Sequence, residues 1–204
     1  MGWSTHWVDS LGRHIALGAD PAGRISGVET VRSREVYANP WMTVREDEIR
    51  RADGSDGIYG VVDKPDYALV IPLDGDRLHL VEQFRYPVGA RRWEFPQGTA
   101  PGRAEIDPVE LAARELHEET GLRAGRMELL GLLDVAPGQL SQRGRVFLAT
   151  ELTAGPPHRE HEEQDMRSAW FSRTEFESMA RRSEVCDAQS LAAYSLLLLH
   201  ERRP

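Results

Sequence analysis

The segment 107–122 constrains the fold of this chain most, because it predicts one short helix with both ends marked. Asp107 is a favourable N-cap residue, Pro108 suits the first helical position, and Glu110 stands where a capping box has its acid. At the far end, Gly121 is able to adopt the left-handed conformation in which many helices terminate. The caps fix the register of the helix, and therefore the face on which each side chain lies.

Three glutamates of this helix, Glu115, Glu118 and Glu119, are spaced i, i+3 and i+4 and share one face. Like charges at this spacing destabilise a helix by roughly 0.2–0.5 kcal/mol per pair, and the helix dipole disfavours anions near the C-terminus. Arg114 offsets part of this charge if it pairs with Glu110 or Glu118. A divalent cation would neutralise the rest, and hard carboxylate oxygens suit Mg²⁺ or Mn²⁺ rather than zinc. The alternative is a solvated acidic face.

The segment 114–122, Arg-Glu-Leu-His-Glu-Glu-Thr-Gly-Leu, resembles the second half of the Nudix box, and all seven specified positions of that half are filled. In the first half, Gly98 and Glu105 are the natural counterparts of the box's Gly and first Glu. Fifteen residues separate Gly98 from Arg114, where the family has thirteen. The extra length falls in the Pro/Gly segment 99–104, which predicts a loop that absorbs insertions. We therefore assign no role to Glu105.

The resemblance implies hydrolysis of a nucleoside diphosphate linked to another moiety, with water attacking a phosphorus of the pyrophosphate. It implies that Glu115, Glu118 and Glu119 hold the divalent ion, with Mg²⁺ first and Mn²⁺ second. It also implies that Arg114 orients these carboxylates and that the backbone carbonyl near Gly98 supplies a further oxygen ligand. The fold it implies is an α/β/α sandwich with a mixed sheet.

Two further segments, Gln83–Gly89 and Trp93–Pro96, resemble the region before the box in ADP-ribose pyrophosphatases and similar sugar-nucleotide enzymes. Pro137, sixteen positions past Gly121, falls where the ADP-ribose subgroup usually has a proline. The resemblance therefore implies ADP-ribose or a related nucleotide-sugar as substrate. Residues 95–98, Phe-Pro-Gln-Gly, also resemble Nudix enzymes that act on dinucleoside polyphosphates and RNA 5′ ends.

Two residues of these segments are candidates for substrate binding. The planar guanidinium of Arg85 is suited to binding a phosphate or stacking on a base, and its alternative role is a surface salt bridge. Glu94 is placed to hydrogen-bond the base or ribose, and its alternative is a structural role at a strand end.

Relatives often add a glutamate from a late loop as general base or further metal ligand. Four acids compete for that role in the polar segment 153–165: Glu160, Glu162, Glu163 and Asp165. Glu163 is our choice, and the alternative for each of them is a solvated loop charge.

Three functions remain open on the sequence. The first is a Mg²⁺-dependent pyrophosphohydrolase acting on ADP-ribose or a related nucleotide-sugar. The second keeps this chemistry for a dinucleoside polyphosphate or NADH. The third is a catalytically silent Nudix domain that binds a nucleotide metabolite and reports it to a partner, which predicts missing box acids, whereas this chain retains Glu115, Glu118 and Glu119.

The order of elements predicts an α+β fold. We expect an N-terminal arm over 1–35 and a Nudix domain over 36–204, in which strands within 36–73 exchange between subunits of a homodimer, as in many sugar-nucleotide members. The expected elements are strands near 36–37, 41–45, 58–62, 68–73, 77–81, 127–135, 145–149 and 168–171, a helix from Thr174 with a capping box to Glu177, and a helix from about Asp187.

Composition excludes several classes of protein. The formal charge of −8 argues against sequence-independent binding to nucleic acid, which needs a basic surface. The N-terminus lacks a signal-peptide core and the longest aliphatic run, 196–199, is too short to span a bilayer, so a cytoplasmic protein without membrane contact is expected. The single cysteine, Cys186, excludes an intramolecular disulfide and is expected to be a small buried residue.

Overall fold

The computed structural model describes residues 27–159 and 164–202, together with the backbone of two short strands nearer the N-terminus. The strands are β1 (Trp7–Val8), β2 (His14–Ile15), β3 (Val28–Ala38), β4 (Thr43–Arg51), β5 (Asp56–Asp63), β6 (Tyr67–Asp74), β7 (Arg77–Arg85), β8 (Ala90–Glu94), β9 (Gln97–Thr99), β10 (Arg123–Asp134), β11 (Arg143–Thr153) and β12 (Arg167–Ser172). The helices are α1 (Pro108–Thr120), α2 (Arg173–Arg181) and α3 (Ala188–Glu201), and two 3₁₀ turns cover Tyr86–Val88 and Pro101–Arg103.

The described residues fall into two compact units, and the first contains β3, β4 and most of β5. These strands form a three-stranded sheet in which β3 and β4 are antiparallel. Asn39 shapes the turn between them, since its side-chain oxygen accepts hydrogen bonds from the backbone N–H groups of Trp41 at 2.9 Å and Met42 at 2.8 Å. This turn lies between the strands expected near 36–37 and 41–45, although β3 begins at Val28, well before the expected start near Val36.

The second unit begins at Val62, also includes the turn 39–42, and is built on a seven-stranded sheet. The strand order is β10-β11-β6-β7-β12, with β8 paired to β7 and β9 paired to β6. The sheet is mixed, because β11 and β6 run parallel while the other pairs are antiparallel.

Both faces of this sheet are covered by helices. On β6, Ala68 and Val70 pack in a cluster with Leu111 and Leu116 of α1. Leu69 and Ile71, which alternate with these two residues along β6, lie on the opposite face of the sheet. They pack in a cluster with apolar side chains of α2 and α3: Phe176, Met179, Ala193 and Leu197. A strand that is buried on both faces has a continuous apolar sequence, and residues 68–71 have one. The expected α/β/α sandwich with a mixed sheet and separate N-terminal strands is confirmed.

Chain reversals and caps follow the sequence with one exception. The β6–β7 hairpin turns through Gly75 at φ 61°, between the strands expected near 68–73 and 77–81, and α3 begins after Asp187, as expected. The expected capping box from Thr174 to Glu177 is wrong, because Ser172 caps α2 and forms the box with Glu175. Among the described residues, no helix is long and apolar enough to cross a membrane.

Candidate active site

Helix α1 forms with the expected N-cap residue Asp107 and the expected terminating residue Gly121. The Asp107 carboxylate accepts hydrogen bonds from the backbone N–H groups of Val109 at 2.9 Å and Glu110 at 3.2 Å. Gly121 terminates the helix in the left-handed region at φ 77°, and its N–H donates to the carbonyl of His117. The register of the acidic side chains along α1 is therefore the one that the sequence predicts.

The three glutamates of α1 lie toward the protein rather than on a solvated face. Glu115 is 7% exposed and Glu119 is 1% exposed, and the Glu118 side chain is 19% exposed. Arg114 pairs with Glu118, with its Nε 2.9 and 3.0 Å from the two carboxylate oxygens. Buried carboxylates are costly unless their charge is compensated, so a purely solvated acidic face does not describe this helix.

Gly98 and Glu115 are brought together by the pairing of β9 with β6, in which Gly98 lies opposite Ala68. A Cβ atom at position 98 would lie 2.3 Å from Glu115 Oε2 and 2.5 Å from its Cδ. The carboxylate therefore occupies the space that a side chain at position 98 would need. Gly98 of β9 and Glu115 of α1, both of which the sequence assigned to a metal, are therefore neighbours in the structure.

Within the described part of the chain, no three acidic, histidine or cysteine side chains form a ready-made metal ligand set. In the structure, Glu118 pairs with Arg114 and Glu115 packs against Gly98. The donors themselves are carboxylate oxygens and a backbone carbonyl, which are the ligands that Mg²⁺ and Mn²⁺ prefer. Their chemistry and their partial burial fit a divalent ion.

Two adjoining cavities open beside these residues. The α1 cavity, of about 460 Å³, is lined by Glu115 and Glu118 and also by Trp41 and Arg103. The α3 cavity, of about 490 Å³, lies at the start of α3 and contains the following polar residues: Lys64, Tyr67, Arg92, Glu94, Gln142, Asp187 and Gln189. The two share a wall made of Arg85, Gln97, Gly98 and Thr99. A ligand that bridges this wall reaches both cavities.

Arg85 and Glu94, the two predicted substrate-binding residues, contact each other. Arg85 Nε lies 3.2 Å from Glu94 Oε2 and its Nη2 lies 2.5 Å from Oε1, while Gln83 donates to the same oxygen at 2.8 Å. Burial raises the pKa of the Glu94 carboxyl, which is 2% exposed, and the charge of Arg85 opposes that shift. Arg85 forms a salt bridge, as its alternative role supposed, but with a buried partner. Its Nη1 makes no hydrogen bond to the described residues.

The loop after β11 packs on the C-terminal end of α1. The His158 N–H donates to the carbonyl of Glu118 at 2.9 Å, and Arg159 Nε donates to the carbonyl of Glu119 at 3.2 Å. A Cβ atom on Gly121 would lie only 2.1 Å from the carbonyl oxygen of Gly155. Arg159 could not be predicted from the sequence, because its partners are backbone carbonyls.

The candidate base Glu163 lies outside the described residues, as do Glu160 and Glu162. Asp165 is described, and it forms an ion pair with Arg91 at 2.6 Å. This contact gives Asp165 a structural partner.

Comparison with known proteins identifies the family. The sequence matches the NUDIX domain over residues 63–194 and the nucleoside diphosphate sugar hydrolase N-terminal domain over residues 28–62. The chain belongs to the Nudix hydrolase family. It is 33% identical over 174 residues to an ADP-ribose pyrophosphatase of Mycobacterium tuberculosis, which covers 84% of this chain and 83% of that protein. This Nudix hydrolase is also 26% identical to an ADP-ribose pyrophosphatase of Bacillus subtilis, covering 85% of this chain and 94% of that protein.

A solved structure described as an ADP compounds hydrolase has the same fold. It superposes with a TM-score of 0.75 at 19% sequence identity, covering 87% of this chain and 95% of that chain. At this identity the likeness establishes the fold of the Nudix hydrolase. The identification of the protein as a hydrolytic enzyme comes from the family and from the relatives above.

Proposed function

We propose that this Nudix hydrolase cleaves the pyrophosphate of ADP-ribose, or of a related nucleotide-sugar, in a reaction that depends on a divalent metal ion. The products are a nucleoside monophosphate and a sugar phosphate. The observation that carries the proposal is the packing of the Glu115 carboxylate against Gly98, at the wall between the α1 and α3 cavities. The names of the two ADP-ribose pyrophosphatase relatives support the choice of substrate.

Glu115, Glu118 and Glu119, with the backbone carbonyl of Gly98, would hold the metal, with Mg²⁺ as the first choice and Mn²⁺ as the second. When bound, such an ion activates water and neutralises charge on the phosphates. The residues of the chain position the reactants. Arg114 holds the Glu118 carboxylate through its Nε, which fixes the direction of that side chain on the wall of the α1 cavity.

In this proposal, Arg85 binds a phosphate and Glu94 orients the guanidinium of Arg85. Glu94 engages Nε and Nη2 of Arg85, and Gln83 fixes Glu94 in turn. The remaining Nη1 is then available to donate to a phosphate oxygen where the two cavities meet. In the reaction, the oxygen of water forms a bond to one phosphorus, the bond from that phosphorus to the bridging oxygen breaks, and a general base takes the proton of water. Glu163 stays our prediction for that base.

We also propose that the protein is a homodimer that exchanges N-terminal strands within residues 36–73. Apolar side chains exposed on the first unit support this: Val31, Val36, Tyr37, Ile58 and Tyr59. An apolar surface of this kind favours association with a second copy. Light scattering coupled to size exclusion should give twice the mass of one chain. A monomer at micromolar concentration would contradict the dimer.

The function is tested with purified protein, Mg²⁺ and a panel of ADP-ribose, ADP-glucose, GDP-mannose, NADH and diadenosine polyphosphates. We expect AMP release to be fastest from ADP-ribose or ADP-glucose. Preference for NADH or diadenosine polyphosphates would favour the second function. Tight binding of ADP-ribose without any hydrolysis would favour the metabolite sensor and refute the enzyme proposed here.

A further inference from the structure

The α3 cavity contains hydrogen-bonding groups that the proposed chemistry leaves unused. It is separated from Glu115 and Glu118 by the shared wall of residues 97–99 and Arg85. Two of its lining residues, Tyr67 at the start of β6 and Asp187 at the start of α3, come from distant parts of the chain.

Tyr67 is only 6% exposed, and its hydroxyl has no hydrogen-bond partner among the described residues. Its ring lies over Gly144 of β11, where a Cβ atom would come within 2.3 Å of the hydroxyl oxygen. Burial, followed by the charge of Asp187, raises the pKa of the phenol, so the group stays neutral and remains able to donate. Burying a hydroxyl without a partner costs free energy, and a ligand that bonds to it removes that cost.

Asp187 caps α3 with one of its two carboxylate oxygens. Its Oδ2 accepts from the Ser190 N–H at 2.8 Å, the Ser190 hydroxyl at 2.7 Å and Gln97 Nε2 at 3.3 Å. Its Oδ1 accepts no hydrogen bond from the described residues. An acceptor oxygen held in place by a helix cap therefore lines the same cavity as the Tyr67 hydroxyl.

We propose that the α3 cavity binds the sugar attached to the pyrophosphate, with one sugar hydroxyl donating to Asp187 Oδ1 and another bonded to the Tyr67 hydroxyl. This inference rests on the proposed function, and it makes Tyr67 and Asp187 specificity-determining residues. The hydrogen-bonding groups are complementary. Sugar hydroxyls both donate and accept hydrogen bonds, and the cavity offers them an acceptor oxygen on Asp187 and the phenol of Tyr67.

The position of Arg85 and the absence of an exposed ring among the described lining residues favour the sugar over the other parts of the substrate in this cavity. Arg85, which meets a phosphate in the proposed function, lies in the wall that the two cavities share, so the attached sugar lies beside it. No exposed aromatic ring is among the described residues lining the α3 cavity, since the Tyr67 ring packs in the core. Trp41, 68% exposed, lines the α1 cavity and offers a face on which a base can stack.

Two conservative variants test the two residues. Tyr67→Phe removes only the hydroxyl, so the melting temperature should not fall, because the lost group has no partner. Asp187→Asn keeps an oxygen to cap α3, since asparagine caps as well as aspartate, but presents an amide donor to the cavity. Tyr86→Phe, at a residue 88% exposed and outside both cavities, is the matched control. We expect kcat/KM for ADP-ribose to fall about 5–10-fold in Tyr67→Phe and about 10–100-fold in Asp187→Asn.

Binding is measured without hydrolysis through the single thiol. Cys186, expected from the sequence to be buried, is exposed and lines the α3 cavity. Ribose 5-phosphate should slow its reaction with a disulfide reagent in metal-free wild-type protein, AMP should protect it less, and both variants should weaken the protection by ribose 5-phosphate.

Protection by AMP but not by ribose 5-phosphate would place the nucleoside in the cavity and overturn the assignment. No protection by either compound would also overturn it, as would equal protection by ribose 5-phosphate in the wild type and both variants. A lower melting temperature of Tyr67→Phe would show a structural hydroxyl and overturn its role. If ribose 5-phosphate protects the thiol but ADP-ribose is not hydrolysed, the proposed function fails while the cavity assignment stands.

Discussion

The Gly98→Ala substitution places a methyl group in the space that the Glu115 carboxylate occupies. The added Cβ would lie 2.3 Å from Oε2 and 2.8 Å from Oε1, whereas ordinary contacts begin at 3.4 Å. The carboxylate must therefore retreat by about 1 Å. Because the atoms that must move are the end of a flexible side chain, the cost in unfolding free energy should fall at the low end of the ~1–3 kcal/mol typical of overpacking.

The effect on catalysis should be much larger than the effect on stability. A displacement of about 1 Å at a group that positions the reaction can cost roughly 10²-fold in rate. We therefore expect kcat for AMP release from ADP-ribose to fall about 100-fold in Gly98→Ala, with the melting temperature lowered by only a few degrees.

The matched control is Gly138→Ala, because a Cβ at position 138 meets no atom within 4 Å and the residue does not have a positive φ. Both variants are compared with the wild type by steady-state kinetics and thermal unfolding. If Gly98→Ala retains wild-type kcat, the contact between Gly98 and Glu115 has no part in catalysis. If Gly98→Ala unfolds, the movement of the Glu115 carboxylate costs more free energy than we expect.

Three further predictions address charge and pH. Glu118→Gln and Glu119→Gln should each lower kcat by orders of magnitude, because each removes a proposed metal ligand. The fold of the metal-free protein should stay intact, because each substitution also removes a like charge from α1. Unchanged kcat in both would refute the metal assignment. Glu94→Gln should lower kcat/KM about 10–100-fold, since Arg85 loses its charged partner, and wild-type kcat/KM would rule out that orientation. Burial, with a smaller contribution from Arg77, lowers the pKa of His79 to about 4 from 6.5. The unfolded chain therefore binds the proton first, and stability should fall by about 2 kcal/mol between pH 7 and pH 5. His79→Phe should remove this slope in urea unfolding, and an equal slope in both proteins would contradict it.

The elements that the sequence predicted well are those whose signals are local. Helix α1 carries its own caps, and the β6–β7 hairpin carries a glycine at the position that needs positive φ. The start of α2 was misjudged because Ser172 with Glu175 and Thr174 with Glu177 fit the same capping pattern. The tertiary structure decides between them, since Ser172 is the last residue of β12 paired with β7, and the chain leaves the sheet there.

Other features depend on contacts that one sequence does not reveal. Strand β3 is exposed along its whole length, so no buried face imposes an alternating pattern on residues 28–35. The register of the β7–β8 hairpin places Arg85 opposite Ala90 and Glu94 opposite Val81, so their contact depends on the long Arg85 side chain reaching along the sheet. Cys186 was expected to be buried because free cysteines often are, but it precedes a helix cap at the edge of a cavity.

Calorimetric titration with Mg²⁺ tests most directly whether the acidic face of α1 is a metal site that acts on a diphosphate. The titration is run on the wild type, Glu115→Gln and Glu118→Gln, each alone and with the non-hydrolysable α,β-methylene analogue of ADP-ribose. We predict that the wild type binds Mg²⁺ with the analogue present and that each variant binds it at least about 10-fold more weakly. Absence of Mg²⁺ binding to the wild type with the analogue, or equal affinity in all three proteins, would contradict the account.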